Sequence, residues 1–201
     1  MTDATSANND ISQRILLAAL ETIAIENISG THLRDIATRA GISQGTLYYY
    51  FPTKTSLYQA VLEYMSSTFM EQRKRKLADS SLKPRDKLSI FFTQMREVIQ
   101  DRKLLLAFYD FWIQATGETK ELEIRAMIQR IYYRWRGDID KVVREGVAQG
   151  VFDSQHASLI PHLMVSLMDG AALQSMVDRE AMDLEAYFEK AYRIILNTIE
   201  I

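Results

Sequence analysis

The sequence predicts an all-α protein of about nine helices. Apolar residues recur at intervals of three and four along most of the chain, and the strict alternation of a half-buried strand is missing. Prolines and glycines, 3 and 8 in 201 residues, are too few for long irregular segments. Hydrophobic residues make up 47% of the chain, which is enough to bury one large core or two small ones.

The composition also restricts the chemistry. The chain has no cysteine, which excludes disulfides and thiolate catalysis. Its histidines, His32, His156 and His162, are far apart and lack a zinc-like spacing, so we expect no metal. Neither a nucleophile–base pair nor a phosphate-binding loop is evident, so we expect no cofactor and no enzyme activity.

The N-terminus is polar and lacks the basic and apolar regions of a signal peptide. We expect a disordered tail over residues 1–9. No run approaches the roughly 20 apolar residues that a membrane span needs, so we expect a cytoplasmic protein with no membrane partner.

Residues that favour helix ends and turns delimit the first helix. It is expected from about Asp10 to Glu26, because the apolar stripe repeats over that range. Asn27 stands where a helix commonly ends in a left-handed residue, Ile28 follows as a buried plug, and Gly30 opens the next turn.

Two short helices are expected next. Thr31 is expected to cap a helix over 33–40, which Gly41 ends. Ser43 is expected to cap a third helix over 44–50.

Pro52 stops the third helix, and Thr53 is expected to cap a long fourth one that runs to about Leu77. The basic run 73–76 is interpreted as solvent-exposed, because cations suit a helix C-terminus, with a second DNA contact as the alternative. Pro161 should kink its helix or delay the start. The five later helices are expected at 85–101, 103–115, 119–149, 155–177 and 183–199.

Two short helices joined by a tight turn with a glycine predict a helix-turn-helix over 32–51. In such a motif the second helix enters the DNA major groove. The helical spacing turns Leu47 inward and places Gly45, Tyr48 and Tyr49 on the opposite side. We therefore expect binding to double-stranded DNA.

The exposed residue types suit that role. A glycine inside a helix costs about 1 kcal/mol, and Gly45 would let the backbone approach the DNA closely. Tyr48 and Tyr49 offer rings for thymine methyls and hydroxyls for phosphates. Gln44 can pair with adenine, and Lys54 at a helix start favours a phosphate.

Four segments carry a family resemblance: 14–20 (RILLAAL), 31–37 (THLRDIA), 40–43 (AGIS) and 45–54 (GTLYYYFPTK). Together they resemble the DNA-binding domain of TetR-family regulators over about residues 10–69. The resemblance implies a homodimer whose first three helices bind DNA and whose C-terminal body binds a small molecule and dimerises through its last two helices. By position it implies DNA contacts at Thr31, Gln44, Gly45, Thr46, Tyr48, Tyr49, Tyr50 and Lys54.

The sequence departs from the family pattern within the recognition helix. Gln44 stands where many members have Lys, and Tyr49 and Tyr50 stand where His is frequent. Residues 1–79 carry equal numbers of acidic and basic side chains, so the DNA-binding interpretation depends on the motif rather than on net charge. Further along, 144–152 and 167–173 are loosely similar to BetI-type members.

The expected organisation is a DNA-binding domain over 10–69, a fourth helix that continues to about 77 as a connector, and a ligand-binding and dimerisation domain over 80–201. An effector pocket needs an apolar cavity with a few polar groups. Its candidate residues, for which core packing is the alternative, are Phe91, Gln94, Phe108, Phe111, Trp112, Tyr132, Trp135, His162 and Gln174. A cage for a cationic ligand near Asp110 or Asp169 is a further alternative.

The last two helices are apolar over a wide arc, which predicts a partner subunit as cover. Small residues on the eighth helix would allow close helix approach. A two-fold homodimer through a four-helix bundle follows. The interface candidates are Ser166, Gly170, Leu173, Leu184, Phe188, Ala191 and Ile195.

We therefore expect a repressor that leaves a palindromic operator when a small, largely apolar effector binds. An activator of the same class is one alternative, and a promoter assay separates the two. An all-α ligand carrier with an incidental helix-turn-helix is another, and it would lack salt-dependent DNA binding.

Overall fold

A computed structural model describes residues 2–116, 122–180 and 182–201. Over these residues the chain forms nine α-helices and no strand, with one isolated antiparallel bridge between Phe152 and Glu200. The predicted all-α class is confirmed. The helices are α1 (Thr2–Gly30), α2 (Leu33–Ala40), α3 (Gln44–Tyr50), α4 (Lys54–Leu77), α5 (Pro84–Gln100), α6 (Arg102–Thr116), α7 (Leu122–Ala148), α8 (Ile160–Val177) and α9 (Leu184–Ile199).

Local sequence sets several helix ends as expected. Ser43 Oγ accepts a hydrogen bond from the backbone N–H of Thr46 at 3.0 Å and caps α3. Thr53 Oγ1 accepts one from the N–H of Ser56 at 2.9 Å and caps α4. Pro161 stands in the first turn of α8, so it delays the start of that helix rather than kinking it.

The segment predicted as a disordered tail is helical where the structure describes it. α1 begins at Thr2, eight residues before the expected start at Asp10, and Met1 lies outside the described residues. Ala4 and Ala7 are strong helix formers. Extending an existing helix costs little, because the unfavourable nucleation step has already occurred.

Two side-chain assignments are also corrected. Thr31 does not cap α2: it is buried, its hydroxyl donates to the Asn27 carbonyl at 2.6 Å, and His32 stands at the cap position. The basic run at the end of α4 is not wholly exposed, since Arg73 has only 3% of its surface accessible. The other three residues, 74–76, are exposed as expected.

The chain forms two compact units whose limits differ from the expected boundary near residue 80. The N-terminal unit comprises Met1–Thr68 and Lys103–Ile128, and the C-terminal unit comprises Phe69–Arg102 and Gln129–Ile201. α6 therefore belongs with the helix-turn-helix. The reason is a shared core, in which the buried Phe111 of α6 meets the buried Tyr58 of α4 edge-on, with 5.7 Å between ring centroids.

Gly146 on α7 is required by close packing. A Cβ at this position would lie 2.0 Å from Cδ2 of Phe152, whose buried ring folds back over the helix. A Cβ on Gly137, on the same helix, would meet no atom within 4 Å in the part of the chain that the structure describes. The two glycines therefore stand in opposite steric environments.

We predict that Gly146→Ala lowers the free energy of unfolding by about 1–3 kcal/mol, because the Phe152 ring must leave its site. The control, Gly137→Ala, should raise it by up to about 1 kcal/mol, since alanine favours a helix interior. Urea unfolding measures both changes. Equal effects in the two variants would contradict the packing described.

Candidate nucleic-acid interface

The turn between α2 and α3 is built around Gly41. Its backbone is left-handed, with φ at 67°, a conformation that favours glycine. The N–H of Ile42 donates to the Ala37 carbonyl at 3.0 Å, and Arg14 Nη2 donates to the Ala40 carbonyl at 2.6 Å. The carbonyls of Ala37 and Ala40 are therefore satisfied, and the turn is held against α1.

α3 buries one face and exposes the other, as its helical spacing predicts. Leu47 is fully buried, whereas Gly45, Tyr48 and Tyr49 are exposed. Tyr49 has 79% of its surface accessible, and its ring meets that of the half-buried Tyr50 edge-on at 5.4 Å. The exposed face thus presents two phenol groups next to a bare stretch of backbone.

No described part of the chain requires a glycine at position 45. A Cβ there would meet only Ser43 Oγ, at 3.7 Å, which is an ordinary contact. Because glycine inside a helix is about 1 kcal/mol less favourable than alanine, α3 gives up stability at a surface position. The residue suits a site where another molecule approaches the backbone closely.

The remaining polar candidates differ in their availability. Gln44 is exposed at the start of α3. Thr46 is half-buried, and its hydroxyl shares a hydrogen bond with Ser43 Oγ at 2.8 Å. The side chain of Thr31 is withdrawn from the surface by burial and by its bond to Asn27, so a phosphate contact through its hydroxyl does not fit the structure.

Lys54 begins α4 and reaches back to the junction of α1 and α2. Its ammonium donates to the Thr31 carbonyl at 2.8 Å and the Ile28 carbonyl at 3.4 Å, and lies 5.4 Å from the Tyr58 ring centroid. The exposed Lys54 therefore holds the segment that leads into α2. A lysine has three N–H donors, so one donor remains beyond these two bonds.

That segment starts at a break in α1. Asn27 has the positive φ expected of it, 57°, but its ψ of 171° lies outside the left-handed helical region. Its side chain accepts a hydrogen bond from the N–H of Gly30 at 2.9 Å. The break leaves backbone groups of Ile28 without helical partners. Tyr58 Oη donates to the Ile28 carbonyl at 3.2 Å, and the Ile28 N–H donates to the carboxylate of Asp110.

Asp110 ties α6 to this break, a role that its sequence context did not predict. From the sequence, Asp110 was a candidate only for a cage around a cationic ligand. The available signal was a single acidic residue within an apolar helix, LLLAFYDFWI. A second link runs from Glu21 on α1, whose carboxylate pairs with Lys103 of α6 at 3.0 Å and Arg39 of α2 at 3.7 Å. Lys103 and then Arg39 lower the pKa of Glu21.

The C-terminal unit contains a buried polar cluster. Arg73 Nη1 donates to Gln94 Oε1 at 2.7 Å, and Arg73 Nη2 and Nε donate to Asp138 Oδ2 at 3.1 and 3.3 Å. The guanidinium lies 5.4 Å from the Phe91 ring centroid. Gln94 Nε2 donates in turn to the Phe69 carbonyl at 2.6 Å. Burial lowers the pKa of Arg73, partly offset by Asp138.

The proposed pocket residues fall in both units. Phe108, Phe111 and Trp112 belong to the N-terminal unit, and the other six belong to the C-terminal unit. His162 and Gln174 are exposed. Phe91 and Gln94 meet around Arg73, and Tyr132 and Trp135 are half-buried on α7. In the described part of the chain no group of His, Cys, Asp or Glu could hold a metal ion, and no helix has both the length and the apolarity to cross a membrane.

The interface candidates on α8 and α9 differ in their exposure to solvent. Ser166 and Leu173 are exposed, and Gly170 and Leu184 are half-buried. Phe188, Ala191 and Ile195 are buried in the chain's own C-terminal core, with the Phe188 ring 5.9 Å from that of Phe92, so they do not fit a partner-facing role. The large apolar side chains that α8 and α9 expose are Leu163, Leu173, Val177 and Ile194.

Two short helices around a left-handed glycine, the second with an exposed face, define a helix-turn-helix DNA-binding protein. Comparison with known families agrees. "Bacterial regulatory proteins, tetR family" matches residues 15–61, and "BetI-type transcriptional repressor, C-terminal" matches residues 84–198. The chain belongs to the TetR family of bacterial transcriptional regulators and has a BetI-type C-terminal domain.

Relatives of full length are divergent. The transcriptional repressor DhaR of Mycobacterium sp. (strain GP1) is 20% identical over 195 residues, 96% of each chain. A regulator from Saccharomonospora viridis, solved with choline, has a TM-score of 0.83 and 22% identity over 96% of this chain and 99% of that one. FadR from Bacillus subtilis, solved with stearoyl-CoA, has a TM-score of 0.77 and 19% identity over 94% and 99%. These structures share the fold.

Asp110 should make stability depend on pH. Burial raises its pKa above the ordinary 3.8, an effect that the hydrogen bonds from Ile28 and Gln114 partly offset. A carboxyl with a raised pKa binds its proton more tightly in the folded state. The contribution of Asp110 to the free energy of unfolding is therefore most favourable at low pH, and it is lost as the pH rises through the raised pKa.

We predict that Asp110→Asn, which keeps an oxygen acceptor without the charge, is more stable than the wild type at pH 7. The difference in stability between this variant and the wild type should shrink towards pH 4. Asp110→Ala, which removes the acceptor for Ile28, should be less stable at both pH values. Melting temperatures across this range give the comparison, and a constant offset between the Asn variant and the wild type would contradict the assignment.

Proposed function

We propose that the chain represses transcription by binding a near-palindromic operator as a two-fold dimer, and that a small molecule bound in the C-terminal unit releases it. The exposed face of α3 carries this proposal. Gly45, Tyr48 and Tyr49 share that face, while Leu47 and the Ser43 cap hold the helix in place. A dimer would present two such helices about 34–36 Å apart, one turn of DNA.

Readout in this proposal depends on shape and methyl contacts more than on charge. α3 contains no basic or acidic residue. Tyr48 and Tyr49 would place their rings against thymine methyls and their hydroxyls against phosphates, and Gln44 would pair with an adenine edge. Gly45 would let the backbone come down to the groove. Thr46 and Tyr50, less exposed, would contribute at the edge of the contact.

Lys54 would act in two ways. Its bonds to the carbonyls of Thr31 and Ile28 fix the position of α2 and α3, and its third donor can reach a phosphate. Thr31 would then act through its backbone rather than through its hydroxyl. Both residues would then belong to the DNA-binding machinery, Thr31 only indirectly.

The dimer would form through the outer faces of α8 and α9. Helical spacing aligns four residues of α8, namely Ser166, Gly170, Leu173 and Val177. A Cβ on Gly170 would meet no atom of the described residues within 4 Å. That open space suits a helix of a partner that approaches closely. Ile194 would add an apolar contact from α9. The two-fold arrangement would turn one recognition helix into a matched pair.

The effector would act by favouring one arrangement of the dimer. A 100-fold loss of operator affinity requires about 2.7 kcal/mol of differential effector binding between the two arrangements. The crystallised relatives with choline and with stearoyl-CoA are complexes with chemically unlike ligands. They support a ligand-binding role for this chain, and because the two ligands differ they do not specify its ligand class.

We predict that Tyr49→Ala weakens binding to an operator selected from genomic fragments by about 1–3 kcal/mol, with little change in melting temperature. Tyr48→Ala should act in the same direction. Gly45→Ala should raise stability by up to about 1 kcal/mol while it weakens operator binding. Fluorescence anisotropy with labelled operator measures affinity.

The matched control is Tyr133→Ala. Tyr133 has 76% of its surface accessible, close to the 79% of Tyr49, but it lies on α7. Its loss should leave operator affinity unchanged. Retained binding in Tyr49→Ala and Tyr48→Ala, or an equal loss in the control, would exclude α3 as the reading helix.

We predict that Ile194→Glu breaks the dimer, because a carboxylate would be buried in an apolar interface. Sedimentation should show half the wild-type mass, and operator affinity should fall with it. The control is Ile25→Glu on α1, because Ile25 is 66% exposed and Ile194 is 64% exposed. A dimeric Ile194→Glu variant would place the interface elsewhere.

A further inference from the structure

The buried guanidinium of Arg73 is the starting point. Its side chain is 4% exposed, whereas its partner Asp138 keeps 29% of its side-chain surface accessible. The ion pair thus runs from the interior of the C-terminal unit to its surface. A solute could compete with Asp138 from the solvent side without opening the core.

The ion pair is geometrically poor. Arginine and carboxylate pair best through two parallel bonds of about 2.7–2.9 Å, one to each oxygen. Here both Arg73 donors share Oδ2 of Asp138, at 3.1 and 3.3 Å. Oδ1 faces Lys141 instead, at 3.8 Å. A carboxylate free to lie in the guanidinium plane would pair with Arg73 better than the tethered Asp138 does.

A second donor on α7 lacks an acceptor. Nε1 of Trp135 is buried and has no hydrogen-bond partner among the described residues. Trp135 precedes Asp138 by three positions, so both lie on one face of the helix. Buried indole N–H groups normally find an acceptor. A ligand oxygen near Asp138 is an acceptor of the required kind.

We propose that the cluster of Arg73, Gln94, Asp138 and Trp135 binds the carboxylate of an amphipathic acid, which takes the place of Asp138 on Arg73. The proposal rests on the proposed function, since it names the chemical class of the effector. Arg73 stays protonated at any physiological pH and therefore selects an anion. A quaternary ammonium ligand would face a buried like charge.

The exchange leaves every charged group with a partner. Arg73 would keep its bond to Gln94 and gain a planar carboxylate, while Asp138 would turn to Lys141, which it already faces. The half-buried indole of Trp135, three positions before Asp138, suits an apolar group attached to the acid, whereas the Phe91 ring beside the guanidinium is fully buried. An alcohol of equal length would gain the apolar contact but not the charged pair.

The first experiment uses the wild-type protein on its operator with three probes of one chain length: decanoate, decanol and decyltrimethylammonium. Benzoate is added to separate aliphatic from aromatic acids. Decanoate or benzoate should release the operator at concentrations at least tenfold below the other two probes. Equal release by decanol, or stronger release by the ammonium compound, would overturn the carboxylate site.

The second experiment removes the competing carboxylate. Asp138→Asn leaves Arg73 buried without its counter-ion, so the melting temperature should fall, and acetate should restore it with saturation. Decanoate should bind this variant about tenfold more tightly than the wild type. The control, Asp140→Asn, removes an exposed pair with Arg144 on the same helix and should show neither effect.

A third variant tests the anchor. Arg73→Met fills similar space without charge, so direct binding measurements on this variant should show no preference for decanoate over decanol. Retained preference would overturn the proposal. If the wild type itself did not bind the operator, the proposed function would fail instead, so the two failures are distinguishable.

Discussion

The break in α1 at Asn27 is the constraint on which the DNA-binding half depends. A positive φ stops the helical hydrogen bonding and leaves the backbone of Ile28 in need of partners. Those partners come from other helices: Tyr58 and Lys54 from α4, and Asp110 from α6. The direction in which the chain enters α2 is therefore set by side chains far away in sequence.

This arrangement explains why α6 belongs to the N-terminal unit although the sequence places it after the expected domain boundary. Its ring contacts and its carboxylate both serve the core beneath the helix-turn-helix. A helix that completes two sets of interactions at once cannot move without disturbing both. The position of α6 and the conformation of the α1–α2 junction are thus energetically coupled.

Rules that act over a few residues predicted much of the fold from sequence. Gly41, Ser43 and Pro161 each have a backbone preference or a capping group that acts locally, and each takes the expected place. Arg73 and Asp110 could not be placed in this way. Their partners lie tens of residues away, and a charged residue in a helical pattern is solvated far more often than it is buried.

Amphipathic patterns also leave the direction of a face open. The apolar arc of α9 is wide enough to cover both Phe188, in the chain's own core, and Ile194, at the surface. The helical period locates the apolar arc on α9, but it does not determine which part of that arc a partner subunit covers. The recognition helix posed no such problem, because seven residues with one buried leucine have only one possible core face.

α3 separates the residues that hold it in place from the residues that it exposes. Leu47 and Ser43 fix the helix, whereas Gln44, Tyr48 and Tyr49 project outward. Substitutions at the most exposed of these positions, Gln44 and Tyr49, should therefore cost the fold little stability. Under the proposed function, such point mutations would retarget the regulator to new promoters while the scaffold stays intact, so operator preference would be the property of this protein most open to evolutionary drift and to engineering.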